Sequence, residues 1–141
     1  MNNYFAMMSR MKYIDRWALM RNTRAENLSE HSLEGSMIAD ALAILGNTYL
    51  GKELNAERAA VLGLYHDATE IITGDMPTPI KYYNPEIRHT YQDIEEKAGQ
   101  TLLSMLPEEM RVSYERLFTR QDEDAYLWKL VKAADKLSAY I

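Results

Sequence analysis

The sequence NAERAAVLGLYHDATE occupies residues 55–70 and decides the fold class. Asn55 is a residue type that caps helix N-termini well, and the apolar run at residues 61–65 (VLGLY) suits a helix packed on other helices. The pair His66-Asp67 follows that run directly. Because a charged carboxylate is costly to bury unless it is paired or bound to a metal, Asp67 points to a polar site at the end of a packed helix.

Helical spacing of apolar residues continues on both sides of this segment, with no convincing alternating strand pattern and no internal repeat. We therefore predict an all-α protein, a single helical-bundle domain over residues 1–141 with about six or seven helices. Residues 73–84 form the main irregular segment, because glycine and prolines there forbid a continuous helix. The other predicted helices cover Tyr4–Ile14, a segment capped by Ser29 and ended by Gly46-Asn47, a long helix over Glu86–Met105 capped by Asn84, one opened by Pro107, and one from about Asp124.

Three of these helices have predicted inner faces. In the first helix, the residues available to face inward are Phe5, Met8, Met11 and Tyr13 or Ile14. In the second, one apolar stripe runs through Leu33, Met37, Ile38, Ala41, Leu42 and Leu45. In the last, the inner face comprises Leu127, Leu130, Val131, Ala134, Leu137, Ser138 and Ile141.

Composition places the chain among ordinary globular proteins. Of its 141 residues, 47% are hydrophobic and 26% are charged, which excludes a disordered or low-complexity chain. The absence of cysteine excludes a disulfide scaffold, a thiolate zinc site and a cysteine nucleophile. The net charge of −5 argues against nucleic-acid binding. With no apolar run long enough to span a membrane and no secretory signal, we expect a cytoplasmic protein without a membrane partner.

Four polar residues fall beside apolar helix faces, namely His31, His66, Asp67 and Asp135. Two imidazoles and two carboxylates form a nitrogen and oxygen ligand set that suits Mn²⁺, Fe²⁺, Co²⁺ or Zn²⁺. Taken singly, each residue also fits a plain structural role. Histidines beside apolar faces are commonly hydrogen-bonded core residues, and helix aspartates commonly face solvent. The spacing alone leaves both the metal site and this structural alternative open.

Six stretches of the chain resemble the HD-domain phosphohydrolase superfamily, which is named for a His…His-Asp…Asp metal motif, and within it the 5′-deoxynucleotidases. The similarity extends through almost the whole chain. Its more specific parts are Arg16-Trp17 and the segment GDMPTP at residues 74–79. The matching stretches are Ser9–Lys12, Asp15–Asn22, Glu26–Ser32, Leu64–Glu70, Thr73–Tyr82 and Lys132–Asp135.

The resemblance implies hydrolysis of deoxyribonucleoside 5′-monophosphates to a deoxynucleoside and phosphate. It also implies a homodimer and one divalent metal ion, whose identity among Co, Mn, Zn and Fe the sequence leaves open. The metal ligands implied by the motif are His31, His66, Asp67 and Asp135. Three of these, His31, Asp67 and Asp135, also belong to the implied substrate-binding set.

The resemblance assigns further residues to the substrate. Glu70 is the expected general acid or base, and it follows Asp67 by three residues, so on a helical turn the two carboxylates take neighbouring directions. Arg16 is the expected phosphate clamp, because a guanidinium binds phosphoryl oxygens bidentately. We expect Trp17 to wall the pocket against the deoxyribose and Asp75 to accept a hydrogen bond from the 3′-hydroxyl or hold the water. The loop expected to line the nucleotide pocket comprises Thr78, Pro79, Ile80 and Lys81.

Two other functions stay open at this point. One is an HD phosphohydrolase acting on deoxynucleoside triphosphates, cyclic dinucleotides or alarmones, although such substrates call for more basic residues near the pocket. The other is a helical regulatory domain with weak or lost catalysis. The chain stops six residues after Asp135, in the middle of the last apolar stripe, whereas the family generally continues further. We therefore expect a chain that is incomplete at its C-terminus.

Overall fold

The computed structural model describes residues 3–16, 25–76 and 78–140. Within these ranges the backbone forms α-helices, two short 3₁₀ segments and connecting turns. The extended pairing found there is an isolated bridge between Asp15 and Asn27. The predicted all-α class is confirmed. Among the helices described, none combines the length and the apolar character needed to cross a membrane.

Five long helices and three short ones follow one another along the described chain. In chain order they are α1 (Tyr4–Met8), α2 (Leu28–Tyr49), α3 (Ala56–Tyr65), α4 (Glu70–Thr73), α5 (Thr78–Lys81), α6 (Pro85–Ser104), α7 (Glu108–Phe118) and α8 (Ala125–Tyr140). The 3₁₀ segments cover Ser9–Tyr13 and Asp122–Asp124.

Two predicted helix starts are confirmed by their capping hydrogen bonds. The backbone N–H of Arg58 donates to Oδ1 of Asn55 over 3.0 Å at the start of α3. At the start of α6 the N–H of Ile87 donates to Oδ1 of Asn84 over 2.8 Å, and Pro85 is the first helical residue. Proline is well accommodated at that position because its missing N–H has no acceptor within the helix.

The chain divides into two compact units. One comprises residues 1–28 and 68–119, and the other comprises residues 29–67 and 120–141. In the first unit, one buried cluster consists of Tyr4, Leu102, Leu103 and Leu106. A second buried cluster of the same unit consists of Met11, Leu28 and Ile71. The assignment of residues 1–141 to a single domain stays a prediction.

The helix predicted over Tyr4–Ile14 is shorter than expected. It ends after five residues and continues as a 3₁₀ segment, which turns more tightly and changes the side that each following residue presents. Met11 is buried as predicted, whereas Phe5 and Tyr13 are exposed. Tyr4, which lies outside the predicted inner set, is fully buried and packs its ring edge-on against Phe5.

The predicted inner stripe of the second helix is wrong. Leu33, Met37 and Leu45 are among its exposed residues, and Ser29 lies inside the helix rather than at its cap, since α2 begins at Leu28. In the second unit, the buried positions of α2 include a row of small residues. These are Gly35, Ala39, Ala43 and Gly46.

Close contact between α2 and α3 explains why the face of α2 that carries small residues is buried. A Cβ atom on Gly63 would lie 3.2 Å from the Cα of Ser36 and 3.3 Å from the carbonyl oxygen of Gly35. Large side chains do not fit between backbones at this distance. The apolar side chains of α2 therefore lie on its other faces.

α8 packs against α3 in the same unit. Its buried side matches much of the predicted inner face, including Leu127, Val131, Ala134 and Ser138. Leu137 is exposed instead, and Trp128 is buried although it was not in the predicted set. Ile141 lies outside the described residues.

A partly buried ion pair joins the beginning of α3 to the 3₁₀ segment directly before α8. Nη2 of Arg58 lies 2.6 Å from Oδ2 of Asp124, whose side chain is 2% exposed. The same guanidinium nitrogen is 3.6 Å from Oε1 of Glu123. The pair thus links the start of α3, which ends directly before His66, to the start of α8, which carries Asp135 in its second half.

Candidate metal centre

Three helices of the second unit bring four polar side chains together. His31 lies in the second turn of α2, His66 and Asp67 follow directly after α3, and Asp135 lies in the second half of α8. Each offers one ligand atom, and these four atoms all lie within 4.8 Å of one another. His31 is completely buried, whereas the Asp135 side chain is 41% exposed. The cluster is therefore anchored in the core and open on one side.

Each imidazole Nε2 atom faces both carboxylates. Nε2 of His31 is 2.6 Å from Oδ1 of Asp135 and 3.4 Å from Oδ2 of Asp67. Nε2 of His66 is 2.9 Å from Oδ2 of Asp67 and 3.4 Å from Oδ1 of Asp135. Two ligands that each bind a metal at about 2.1 Å lie at most about 4.2 Å apart. The four measured separations satisfy this limit.

The remaining nitrogen of each imidazole has its own partner. Nδ1 of His66 lies 2.6 Å from the carbonyl oxygen of Gly63, one turn earlier in α3. Nδ1 of His31 lies 3.3 Å from Oγ of Ser138, one turn after Asp135 in α8. The rings are thus held by their outer nitrogens while Nε2 of each points to the carboxylates. This is the arrangement in which imidazoles serve as metal ligands.

The charges within the cluster shift the pKa values of its members. Burial alone would lower the pKa of His66, but the carboxylates of Asp67 and Asp135 outweigh it and raise this pKa well above 6.5. Burial alone would raise the pKa of Asp67, but the imidazoles of His66 and His31 hold it well below its ordinary range. The hydrogen bond with His31 likewise keeps the pKa of Asp135 low against the effect of burial. Both carboxylates are therefore ready to bind a cation at neutral pH.

The donor set fits a divalent ion. It combines two nitrogen and two oxygen ligands, each imidazole Nε2 lies within 3.4 Å of both carboxylates, and the exposed side of Asp135 is left open to solvent. Borderline divalent ions of the first transition series accept such mixed sets, and an open side is typical of catalytic rather than structural sites. This His/Asp group could hold a metal ion.

Two further predicted residues belong to the first unit. Glu70 is the first residue of α4 and is only 6% exposed, so its carboxylate is buried rather than solvated. Arg16 is 12% exposed, and its Nη1 atom lies 2.6 Å from Oε2 of Glu26. The backbone N–H of Arg16 also donates to the carbonyl oxygen of Glu26 over 2.9 Å. Arg16 is thus largely buried, and both its backbone and its guanidinium are held by Glu26.

The predicted nucleotide loop also lies in the first unit. Asp75 is partly buried and follows Gly74, whose φ of 76° lies in the left-handed region that favours glycine. Nζ of Lys81 pairs with Oε1 of Glu95 at 3.1 Å, whereas Pro79 and Ile80 are exposed. Trp17 and the side chain of Thr78 lie outside the described residues.

Several partners of the predicted site residues cannot be predicted from the sequence. They are Ser138 at His31, Gly63 at His66, Glu26 at Arg16, and Tyr91 and Glu95 at Lys81. A weak signal exists for Ser138, which follows Asp135 by three residues and therefore shares its face of α8. The others are ordinary residue types whose role depends on tertiary contacts.

Comparison with protein families decides the classification. A family model described as YfbR-like 5′-deoxynucleotidase matches residues 3–141. The chain belongs to this family. A 5′-deoxynucleotidase of Yersinia pestis (strain Pestoides F) is 51% identical over 141 residues, which are 100% of this chain and 72% of that protein. The same values hold for a 5′-deoxynucleotidase of Yersinia pseudotuberculosis serotype O:3 (strain YPIII).

Solved structures agree with this classification. An HD-domain phosphohydrolase from Listeria innocua superposes with a TM-score of 0.83 at 25% identity, over 96% of this chain and 64% of that one. A conserved hypothetical protein from Pyrococcus furiosus gives a TM-score of 0.73 at 25% identity, over 96% of this chain and 78% of that one. The predicted family, the all-α HD fold and the activity of a deoxynucleoside 5′-monophosphate hydrolase are thereby confirmed.

Proposed function

We propose that the chain hydrolyses deoxyribonucleoside 5′-monophosphates with one divalent ion held by His31, His66, Asp67 and Asp135. The observation that carries this proposal is the convergence of these four ligand atoms within 4.8 Å. A divalent ion bound there supplies charge neutralisation at a phosphoryl oxygen and a bound water of lowered pKa. Co²⁺, Mn²⁺, Fe²⁺ and Zn²⁺ all suit the ligand set.

Glu70 is proposed as the general acid or base. Its carboxylate is buried, and a carboxylate in such surroundings can hold a water proton and pass it to the departing 5′-oxygen. Asp67 and Glu70 are separated by two residues, so the ligand and the proton-transfer residue belong to one short segment of chain. Glu70 would thus orient the attacking water or protonate the leaving group.

Arg16 is proposed to bind the phosphate. A guanidinium presents five N–H donors in a fixed plane, so an arginine held by one carboxylate can also bind phosphoryl oxygens. The ion pair with Glu26 fixes the orientation of the Arg16 side chain before substrate arrives. Such fixing reduces the conformational entropy lost on binding.

The sugar and base are proposed to contact Trp17, Asp75 and the loop of Thr78, Pro79, Ile80 and Lys81. Asp75 carries a carboxylate that can accept a hydrogen bond from the sugar 3′-hydroxyl. Lys81 is held between Glu95 and the ring of Tyr91, whose centroid is 4.7 Å from its Nζ atom. Its ammonium group can therefore approach a nucleotide from a defined position.

Phosphate release from dAMP, AMP and dATP, measured with Co²⁺ or Mn²⁺, tests this function. We expect release from dAMP, much less from AMP, and little from dATP. Equal release from AMP and dAMP would exclude deoxynucleotide specificity, and preference for dATP would favour the triphosphohydrolase alternative. A folded, metal-loaded protein inactive on all three would favour the regulatory-domain alternative.

A matched variant tests the metal centre. Asp67→Ala should lose both metal content, measured by elemental analysis, and activity on dAMP. Asp122→Ala is the control, because Asp122 is an exposed aspartate of the same unit outside the cluster. Retained activity in Asp67→Ala would exclude the proposed centre. The homodimer and the cytoplasmic location remain predictions.

A further inference from the structure

The two histidines of the cluster differ in the chemistry of their outer partners. Nδ1 of His66 faces the carbonyl oxygen of Gly63, which can only accept a hydrogen bond. Nδ1 of His31 faces the hydroxyl of Ser138, which can donate or accept. The backbone partner of His66 fixes the proton position of the neutral ring, whereas Nδ1 of His31 faces a side chain that mutation can change.

Metal coordination places a definite demand on His31. A neutral imidazole that binds a metal through Nε2 must carry its proton on Nδ1, and a second partner that accepts this proton fixes both the tautomer and the plane of the ring. Oγ of Ser138 lies within hydrogen-bond distance of Nδ1 of His31, at 3.3 Å. Its side chain is buried, at 7% exposure, so water competes poorly for the same nitrogen.

The position of Ser138 on α8 strengthens this reasoning. Ser138 follows Asp135 by three residues, and Oδ1 of Asp135 lies 2.6 Å from the other nitrogen of the same ring. One face of α8 thus contacts both nitrogens of His31, through a carboxylate on one side and a hydroxyl on the other. A rotation of the ring would break both contacts.

We propose that Ser138 is a positioning residue, which accepts the Nδ1 proton of His31 and thereby presents the Nε2 lone pair to the metal. This role rests on the proposed metal centre. Ser138 is not one of the four residues that offer a ligand atom, and its assigned effect passes through the ring of His31. Its loss should therefore weaken metal binding without removing a ligand.

Ser138→Ala removes the hydroxyl with little change in volume. Loss of a partner of this kind weakens metal affinity by about 10- to 100-fold. The measurement is isothermal titration of the metal-stripped protein with Mn²⁺ and Zn²⁺. Ser138→Thr keeps a hydroxyl and should bind close to wild type.

Ser36→Ala is the matched control. The hydroxyl of Ser36 donates to the carbonyl oxygen of Ala60 over 2.7 Å in the same unit, and this hydrogen bond involves neither imidazole. This variant loses a serine hydrogen bond as Ser138→Ala does, so thermal unfolding should reveal any general loss of stability. Its metal dissociation constant should stay at the wild-type value.

A second measurement reports directly on the imidazole ring of His31. In the Zn²⁺-loaded wild type, ¹⁵N resonances should show the Nδ1 of His31 protonated and slow to exchange, and in Ser138→Ala that proton should exchange faster while His66 is unaffected. If Ser138→Ala does not fold, the wild-type resonances decide: an unprotonated or freely exchanging Nδ1 would overturn the proposal.

The possible failures are distinguishable. If the wild type takes up no ion, the metal centre fails and the role of Ser138 fails with it. If the wild type binds the ion and Ser138→Ala binds it equally well, the metal centre stands and the positioning role is overturned.

Discussion

Nε2 of His31 lies 2.6 Å from Oδ1 of Asp135, although the two residues are 104 positions apart in the chain. The contact joins α2 to α8 within one unit and places an imidazole nitrogen against a carboxylate of lowered pKa. A cation bound between these two atoms in place of the hydrogen-bonding proton would be coordinated by one ligand from α2 and one from α8.

Asp135→Asn should reduce metal affinity by on the order of 100-fold or more while leaving the fold intact, because a neutral amide replaces an anionic ligand of the same size. Metal content after gel filtration and isothermal titration measure the effect. Asp122→Asn makes the same change at an exposed position of the same unit and should bind metal normally. Undiminished binding in Asp135→Asn would remove Asp135 from the ligand set.

Metal affinity should rise with pH. The pKa of His66 is raised well above 6.5 by the carboxylates of Asp67 and Asp135, so in the metal-stripped protein a proton competes with the metal for Nε2 of His66. Below that pKa the metal must displace the proton, and the apparent affinity falls as the pH falls. Titrations at several pH values should show affinity increasing and then levelling above the pKa. An affinity independent of pH from 6 to 9 would contradict this assignment.

The cluster residues were recognisable in the sequence because each is a polar residue at an apolar helical position. Because burying an isolated charge is costly, such residues are noticeable in a sequence, and the resemblance to the HD-domain phosphohydrolases implies that they bind one metal ion together. Ser138 carries a weaker signal: it lies on the predicted inner face of the last helix, but a buried hydroxyl costs much less than a buried charge, and its significance comes from the ring that it contacts. The sequence therefore predicts ligands better than the residues that orient them.

The buried face of α2 shows a different limit of prediction from the sequence. Hydrophobicity favours burial of Leu33 and Met37, yet both are exposed, whereas Gly35 and Ala39 are buried. The deciding quantity is the distance between α2 and α3, which Gly63 sets through its backbone contacts. A periodic pattern gives the apolar side of a helix but not how closely its neighbour approaches.

A pair of glycine substitutions tests this close approach. In Gly63→Ala the new Cβ would lie 3.2 Å from the Cα of Ser36, so the two backbones must separate, at a cost of about 1–3 kcal/mol that outweighs the gain of up to about 1 kcal/mol in helix propensity. In Gly35→Ala the new Cβ would lie 3.7 Å from Cε1 of His66, an ordinary contact, and the helix gains up to about 1 kcal/mol. Urea unfolding of both variants should give opposite signs. Equal stabilities would show that the helices can separate freely.

The ion pair between Arg58 and Asp124 should contribute to stability. Arg58→Ala leaves the carboxylate of Asp124, which is 2% exposed, without its guanidinium partner, and such a change costs about 3 kcal/mol. Arg58→Lys keeps the charge and should recover part of the loss. Lys129→Ala, at an exposed position of α8, is the control and should change the free energy of unfolding by less than about 0.5 kcal/mol. A stable Arg58→Ala variant would contradict this role.

Glu70→Gln separates catalysis from metal binding. The amide keeps the shape of the buried side chain but cannot exchange a proton, so kcat for dAMP should fall by about 10²- to 10⁴-fold while metal content stays unchanged. The pH dependence of kcat should also lose the limb that reports this carboxyl group. Glu96→Gln makes the same change at an exposed position of the same unit and should retain full activity. If Glu70→Gln instead loses both its bound metal and its activity, Glu70 supports the metal centre and is not the proton-transfer residue.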